Sequence, residues 1–213
     1  MKTAIVSDTH DEYQRLRAAM QKAKDLGAER LFHLGDIIHK GGNYNGERCI
    51  SLLNPYLDSH DMVFSPEQIF AIRGNKEPFQ NPEKYPKISP RNFTFLQRAG
   101  TEKFFEKEGV LMIHHFPGND SRIITGKDVK KAYKMLIKDY TNLAMCFFGH
   151  THVPTVFENF KEQDISGKIQ LKNDKIYFVN PGSLWTKDKT ETGFEPRFAM
   201  YDDLEKTIEF YNL

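Results

Sequence analysis

The stretch "KTAIVSDTHDEYQRLRAAMQKAKDLGAERLFHLGD", Lys2 to Asp36, decides the fold class. Two short apolar runs, "TAIV" and "LFHL", each end in a polar cluster and read as buried strands. Between them Leu16, Ala19, Met20, Ala23 and Leu26 recur at helical spacing, which predicts a helix with Asp11 as N-cap and Gly27 as stop. A strand, a helix and a second strand in succession predict an α/β protein.

Outward from that opening, apolar runs ending in polar clusters recur in "IFAIRGN", "VLMIHH", "AMCFFGHTH" and "IYFVNPG", and "RFAMYDD" with "KTIEFYNL" predicts a terminal hairpin. A second helix is predicted from Asp128 to Tyr140, with Val129, Ala132, Tyr133, Leu136, Ile137 and Tyr140 as its apolar stripe. Its other face carries Lys127, Lys130, Lys131, Lys134 and Lys138, a solvated face or a surface that tracks phosphates. A weaker helical pattern covers Glu47 to Leu57, where Pro55 should bend or end it. Prolines 78, 82, 86 and 90 predict an irregular loop from Pro78 to Asn92, with Phe79, Tyr85 and Phe93 in or beside it as a wall of the site or as anchors to the core. A second long loop, Gly182 to Pro196, carries the single tryptophan.

A chain of 213 residues is expected to form one domain, residues 1–213, which buries roughly 70% of its unfolded surface without a staple. The composition, 39% hydrophobic and 28% charged, is that of a globular protein and excludes a fibre. A formal net charge of +1 disfavours a nucleic-acid partner without excluding a local basic patch. The two cysteines, Cys49 and Cys146, form no CxxC pattern, which points to a reducing, cytoplasmic setting. The N-terminal run does not read as a signal peptide, and no run approaches 18 apolar residues, so no membrane span is expected.

Polar residues gather where these strands end: Asp8, His10, Asp36, Asn75, His114, His150 and His152. In extended chain residues i and i+2 point to one side, so His150 and His152 can present two imidazoles together, although such a pair alone reads equally as a polar turn. Ligands of open α/β sheets bind beyond the carboxyl ends of strands, so residues distant in sequence can converge there. Carboxylate, amide oxygen and imidazole together suit Mn, Fe, Co or Zn and suit calcium poorly. Seven protein donors exceed what one catalytic ion accepts, whereas two ions sharing a carboxylate can use them.

With "SDTH", "LGD", "RGNKE", "MIHH" and "FGHTH" in this order and "NPGS" after them, the chain resembles the calcineurin-like metallophosphoesterases, specifically their small bacterial and archaeal phosphodiesterase branch. The motifs span Met1 to about Ser183. The resemblance implies a four-layer αββα sandwich of two mixed sheets. It also implies two divalent ions, Mn foremost with Fe, Co, Ni or Zn as alternatives. Asp8, His10 and His152 would hold the first ion, Asp36 would bridge, and Asn75, His114 and His150 would hold the second. The implied reaction is hydrolysis of a small-molecule phosphoester, a diester before a monoester, by a hydroxide bridging the ions. Asp36, Asn75, Lys76 and His115 are the residues expected to take part in catalysis.

Lys76 departs from the family pattern, which has His in many members and Cys in the small branch. With an ordinary pKa of about 10.4 a lysine is a slow acid, so proton donor, phosphate contact and bystander all stay open. His115 should point away from His114 if both lie in a strand, and supports a ligand or fills the core as readily as it binds. His33 reads as a core histidine, while His39, Arg73 and Asn180 read as site supports or structural groups. A scaffold of the same fold and a nuclease of the same superfamily are the competing functions. Intact donors at every ligand position argue against the scaffold, and the near-neutral charge argues against the nuclease.

Overall fold

The computed structural model describes residues 1–57, 62–77, 82–118, 124–185 and 195–213. Among them run twelve strands and four helices. The first half contains β1 (Lys2–Val6), α1 (Tyr13–Asp25), β2 (Arg30–His33), α2 (Tyr44–Leu53), β3 (Ile69–Ala71), α3 (Pro90–Arg98) and β4 (Glu102–Phe105). The second half contains β5 (Val110–Ile113), α4 (Gly126–Leu136), β6 (Met145–Phe148), β7 (Thr155–Glu158), β8 (Lys161–Glu162), β9 (Ile169–Gln170), β10 (Tyr177–Asn180), β11 (Arg197–Asp202) and β12 (Thr207–Asn212).

The strands form two six-stranded mixed sheets, ordered β3-β2-β1-β11-β12-β9 and β4-β5-β6-β10-β7-β8. Each contains a parallel trio, β1 with β2 and β3 in one sheet, β5 with β6 and β10 in the other. The predicted terminal hairpin forms as β11–β12, and β11 pairs antiparallel on β1.

Strand alternation builds the layers. Ala4 and Val6 of β1 pack with Leu16, Met20 and Ile50 on the helical side, while Ile5 between them faces Phe147 and Val179 of the other sheet. On β5, Leu111 and Ile113 meet Val129 and Leu136 of α4, whereas Val110 and Met112 face the first sheet. Three helices, two sheets and one helix therefore stack as a four-layer αββα sandwich, and its central strands are apolar on both faces. Among the described residues no helix is long and apolar enough to cross a membrane.

Several local expectations need correction. Asp11 does not cap α1: Glu12 occupies that position without a side-chain cap, and the Asp11 carboxylate accepts the backbone N–H of His39 at 3.1 Å. Gly27 does follow the helix end with a φ of +86°. Helix α2 starts three residues earlier than predicted because Asn43 accepts the N–H groups of Asn45 and Gly46, and it ends ahead of Pro55. Helix α4 begins at Gly126, where Thr125 and Asp128 form a capping box, and it ends at Leu136 rather than Tyr140. The stretch from Pro78 to Asn92 is not irregular throughout. A short 3-10 turn covers Pro82–Lys84, and Pro90 opens α3 as its first residue behind the N-cap Ser89. Phe93 is buried on α3 and Tyr85 packs beside it, so both anchor the core; Phe79 lies outside the described residues. The edge strands β4, β8 and β9 were not predicted, being short or rich in charge, and neither was the short inner strand β7 between β10 and β8.

Candidate metal centre

Beyond the carboxyl ends of the two parallel trios the chain leaves β-geometry abruptly. Asp8, His10, Asp36, His150 and His152 all have positive φ, between 46° and 71°. Left-handed backbone costs a non-glycine residue on the order of 1–3 kcal/mol and persists where the surroundings enforce it. This corrects the extended-chain reading of the paired motifs: β1 ends at Val6 and β6 at Phe148, so each donor pair sits on a turn. Glycines permit the close approach of these turns. A Cβ on Gly74 would lie 2.2 Å from Asp36 Oδ1, and one on Gly149 would lie 2.1 Å from Ser7 Oγ and 2.9 Å from Asp8 Oδ2.

The turns bring five of the candidate donors together. Asp8, His10 and His152 offer ligand atoms within 4.8 Å of one another, and so do Asp8, Asp36 and His114. The Nε2 atoms of His10 and His152 are 3.2 Å apart, and His152 Nε2 is 3.2 Å from Asp8 Oδ1. The two oxygens of Asp36 divide between the groups: Oδ1 lies 3.4 Å from His114 Nε2 and Oδ2 lies 3.7 Å from His10 Nε2. His150 packs its ring 5.3 Å from that of His114. Asn75 is exposed, and its Oδ1 accepts from Lys76 Nζ at 3.0 Å.

Hydrogen bonds orient the donors. Asp8 Oδ2 accepts from Ser7 Oγ at 2.6 Å and from the His150 backbone N–H at 3.0 Å, which leaves Oδ1 buried without a hydrogen bond. His114 Nδ1 lies 2.8 Å from the Leu34 carbonyl oxygen and must donate to it. Once the ring is neutral this leaves the lone pair on Nε2, which is also buried without a hydrogen bond. An acceptor oxygen and an imidazole lone pair, both buried and facing further donors, fit divalent cations.

The charges agree with this. Burial pushes His10 down to about 4 against the pull of Asp8 and Asp36, so its ring stays neutral. Burial also opposes charge on His114, but the Asp36 and Asp8 carboxylates outweigh it and raise that ring to about 9. For Asp8 and Asp36 burial works upward, and the surrounding imidazoles overcome it to hold both carboxyls below their ordinary values. In the metal-free protein a proton on His114 thus takes part of the charge role of a cation, and metal binding must release it.

Glu77 was missed in the sequence. Its buried carboxylate accepts the backbone N–H groups of Asp36, Ile38 and Gly74 at 3.0, 3.0 and 2.6 Å, tying "LGD" to "RGN". Burial and then the Asp36 charge raise it to about 7, against the pull of those N–H donors. Its only signal was a charged residue directly after the ligand motif, and burial of a carboxylate is not visible in composition. Ser183, within "NPGS", donates to the Asp8 carbonyl at 2.8 Å. Asn180 donates to the Gly149 carbonyl at 2.8 Å and accepts from Gly182, which makes it the structural clamp of the "GHTH" turn.

The remaining candidates separate. Lys76 reaches the centre, with Nζ 3.7 Å from Asp36 Oδ2 and a third of its side chain exposed. His115 lies past the end of β5, so strand alternation does not govern it; its exposed ring stands 5.7 Å from that of His150. His33 is the core histidine expected, with Nδ1 accepting from the Gly35 N–H and Nε2 bonded to Thr9 Oγ1 at 2.8 Å. Arg73 is buried at the end of the "IFAIRGN" strand, with its backbone N–H donated to Gly100. The lysines of α4 are all exposed, and Val129, Ala132 and Leu136 opposite them are buried, as either reading of that row requires.

The family model of the calcineurin-like phosphoesterase superfamily domain matches residues 1–202. An uncharacterized protein of Methanocaldococcus jannaschii, MJ0912, is 28% identical over 198 residues, which cover 85% of this chain and 75% of that one. A solved metallophosphoesterase from Sphaerobacter thermophilus superposes with a TM-score of 0.68 at 17% identity, covering 100% of this chain and 88% of its own. A structure described as a novel archaeal phosphodiesterase superposes at 0.58 with 17% identity and full coverage of both chains. These two structural likenesses concern the fold.

Proposed function

Given that the chain belongs to the calcineurin-like phosphoesterase superfamily, we propose that it is a single-domain, dinuclear metal-dependent phosphodiesterase. Asp8, His10 and His152 would hold one ion, Asn75, His114 and His150 the other, and Asp36 would bridge. The division of the Asp36 oxygens between His114 and His10 carries this reading, because a carboxylate shared by two donor groups is what a bridging ligand requires. Manganese is the first expectation, with Fe, Co, Ni or Zn as alternatives. Bound divalent ions supply Lewis acidity toward phosphoryl oxygens and an activated water at neutral pH.

The chain's own residues supply the rest. Lys76, beside Asp36 and one-third exposed, offers a positive charge to a phosphate oxygen. His115, exposed next to His150, is set to contact an ester oxygen or pass it a proton. The ligand histidines and aspartates position and do not attack. The substrate class is a small phosphoester, and the buried, reduced-compatible cysteines accord with a cytoplasmic setting.

The test is hydrolysis of bis(4-nitrophenyl) phosphate and 4-nitrophenyl phosphate by protein reconstituted with Mn²⁺. Faster cleavage of the diester, its loss on chelation and its return with metal are expected. Protein that holds two ions yet cleaves neither ester would overturn the assignment.

A further inference from the structure

Trp185, the chain's single tryptophan, lies outside the donor set yet borders it. Its ring centroid is 5.0 Å from that of His10 and 5.6 Å from that of His152, the latter edge-on at 86°. On another side it lies nearly parallel to His39, at 24° and 5.9 Å, which is an offset stack. His39 comes from the loop after β2, three residues past Asp36, and its exposed ring also meets His10 edge-on at 5.7 Å. Two planar rings from separate loops therefore stand together beside one donor group.

Neither ring is buried in the core: the imidazole of His39 is exposed, and Trp185 is partly exposed and belongs to none of the three apolar clusters. The backbone that carries the indole is nevertheless tied down. Its backbone N–H donates to Ser183 Oγ at 2.9 Å, and that hydroxyl donates to the Asp8 carbonyl. Leu184 beside it is fully buried, and its carbonyl accepts from Arg15 Nη1 at 3.2 Å. A partly exposed aromatic surface carried beside the donors on a backbone bonded to Asp8 is preorganised for a ligand, because little ordering remains to be done on binding.

We propose that Trp185 and His39 form a subsite for a planar ring carried by one ester arm, so that the ligand's ring extends their stack and phosphoesters bearing a nucleobase-like ring are preferred. The subsite rests on the phosphoester reading above, since the phosphate at the donor cluster brings the ring to the stack. Stacking on an aromatic side chain tolerates any flat ring, and its loss weakens binding by roughly tenfold or more.

Adenosine 5′-monophosphate and ribose 5-phosphate differ only by the base, and their dissociation constants on the Mn²⁺-loaded protein, measured by calorimetry, isolate the ring. The nucleotide should bind about tenfold more tightly to the wild type. Trp185→Leu should bring the two constants to within about twofold by weakening the nucleotide alone, and His39→Ala should reduce the margin part of the way. Trp185→Phe, which retains a flat ring, should keep most of it. Equal constants in the wild type, or a margin that survives both Trp185→Leu and His39→Ala, would overturn the subsite. Loss of bound metal in Trp185→Phe would also overturn it, by making the indole a support for His10 and His152. Failure of both ligands to bind would instead remove the phosphoester reading itself, a pattern distinct from equal binding.

Discussion

Glu77 Oε2 accepts the backbone N–H of Asp36 at 3.0 Å across a sequence separation of 41 residues. The same oxygen accepts from Gly74, and Oε1 accepts from Ile38, so one buried carboxylate sets the spacing of the two loops that carry the candidate donors Asp36 and Asn75. Glu77→Ala should strand three N–H groups, weaken metal binding by roughly 10- to 100-fold and destabilise the metal-free protein by about 1–3 kcal/mol. Metal titration and denaturant unfolding of the chelated protein measure the two effects. Unchanged metal affinity would mean that the loops hold their spacing without it.

The division of the Asp36 oxygens predicts stoichiometry. Elemental analysis of protein saturated with Mn²⁺ should approach two ions per chain, and Asp36→Asn should lose one ion together with hydrolysis. A single ion with full activity in the wild type would contradict a shared carboxylate.

Lys76 makes a kinetic prediction. If its ammonium contacts phosphate and donates no proton, hydrolysis of substituted phenyl diesters should depend steeply on leaving-group pKa, and Lys76→Ala should raise KM without changing that slope. Lys76→His should flatten the slope by restoring a group that titrates near neutrality. A flat wild-type plot, with chemistry rate-limiting, would identify Lys76 or His115 as an effective acid.

His33 predicts the acid limb of stability. Burial lowers it from 6.5 to about 3, so the unfolded chain takes up a proton that the folded protein refuses. Its contribution is complete above pH 6.5 and is lost as pH falls toward 3, by about 2 kcal/mol at pH 5. In the chelated protein the stability difference between pH 7 and pH 5 should therefore shrink by about that amount in His33→Gln, a substitution that keeps an amide for Thr9. Equal differences in the two proteins would assign the acid limb to other groups.

Short apolar runs carried the reading of the core because burial on both faces favours adjacent apolar residues, as in Ile5–Val6, Leu31–Phe32, Val110–Ile113, Met145–Phe148 and Tyr177–Val179, a pattern that depends on no neighbour. The edge strands β4 and β8 were silent for the converse reason: half in water, they keep charges such as Glu102 and Lys161 and take their geometry from the strand they pair with. Helix starts shifted wherever a side chain chose between two backbone partners. Asp11 bonded the distant His39 N–H rather than its own helix, and only the fold determines that choice.

The sequence by itself determined the α/β class, most of the central strands and a set of seven candidate donors, since hydrophobic period and residue chemistry are local properties. Tertiary structure alone decided how those donors meet. The left-handed turns at Asp8, His10, Asp36, His150 and His152 replace the strand geometry that spacing suggested, and they exist because glycines let two loops approach to contact. The burial of Glu77, the orientation of His114 by Leu34 and the pairing of Trp185 with His39 likewise join residues 41, 80 and 146 positions apart. Contacts over such distances depend on the packing of whole layers, and no local pattern encodes them.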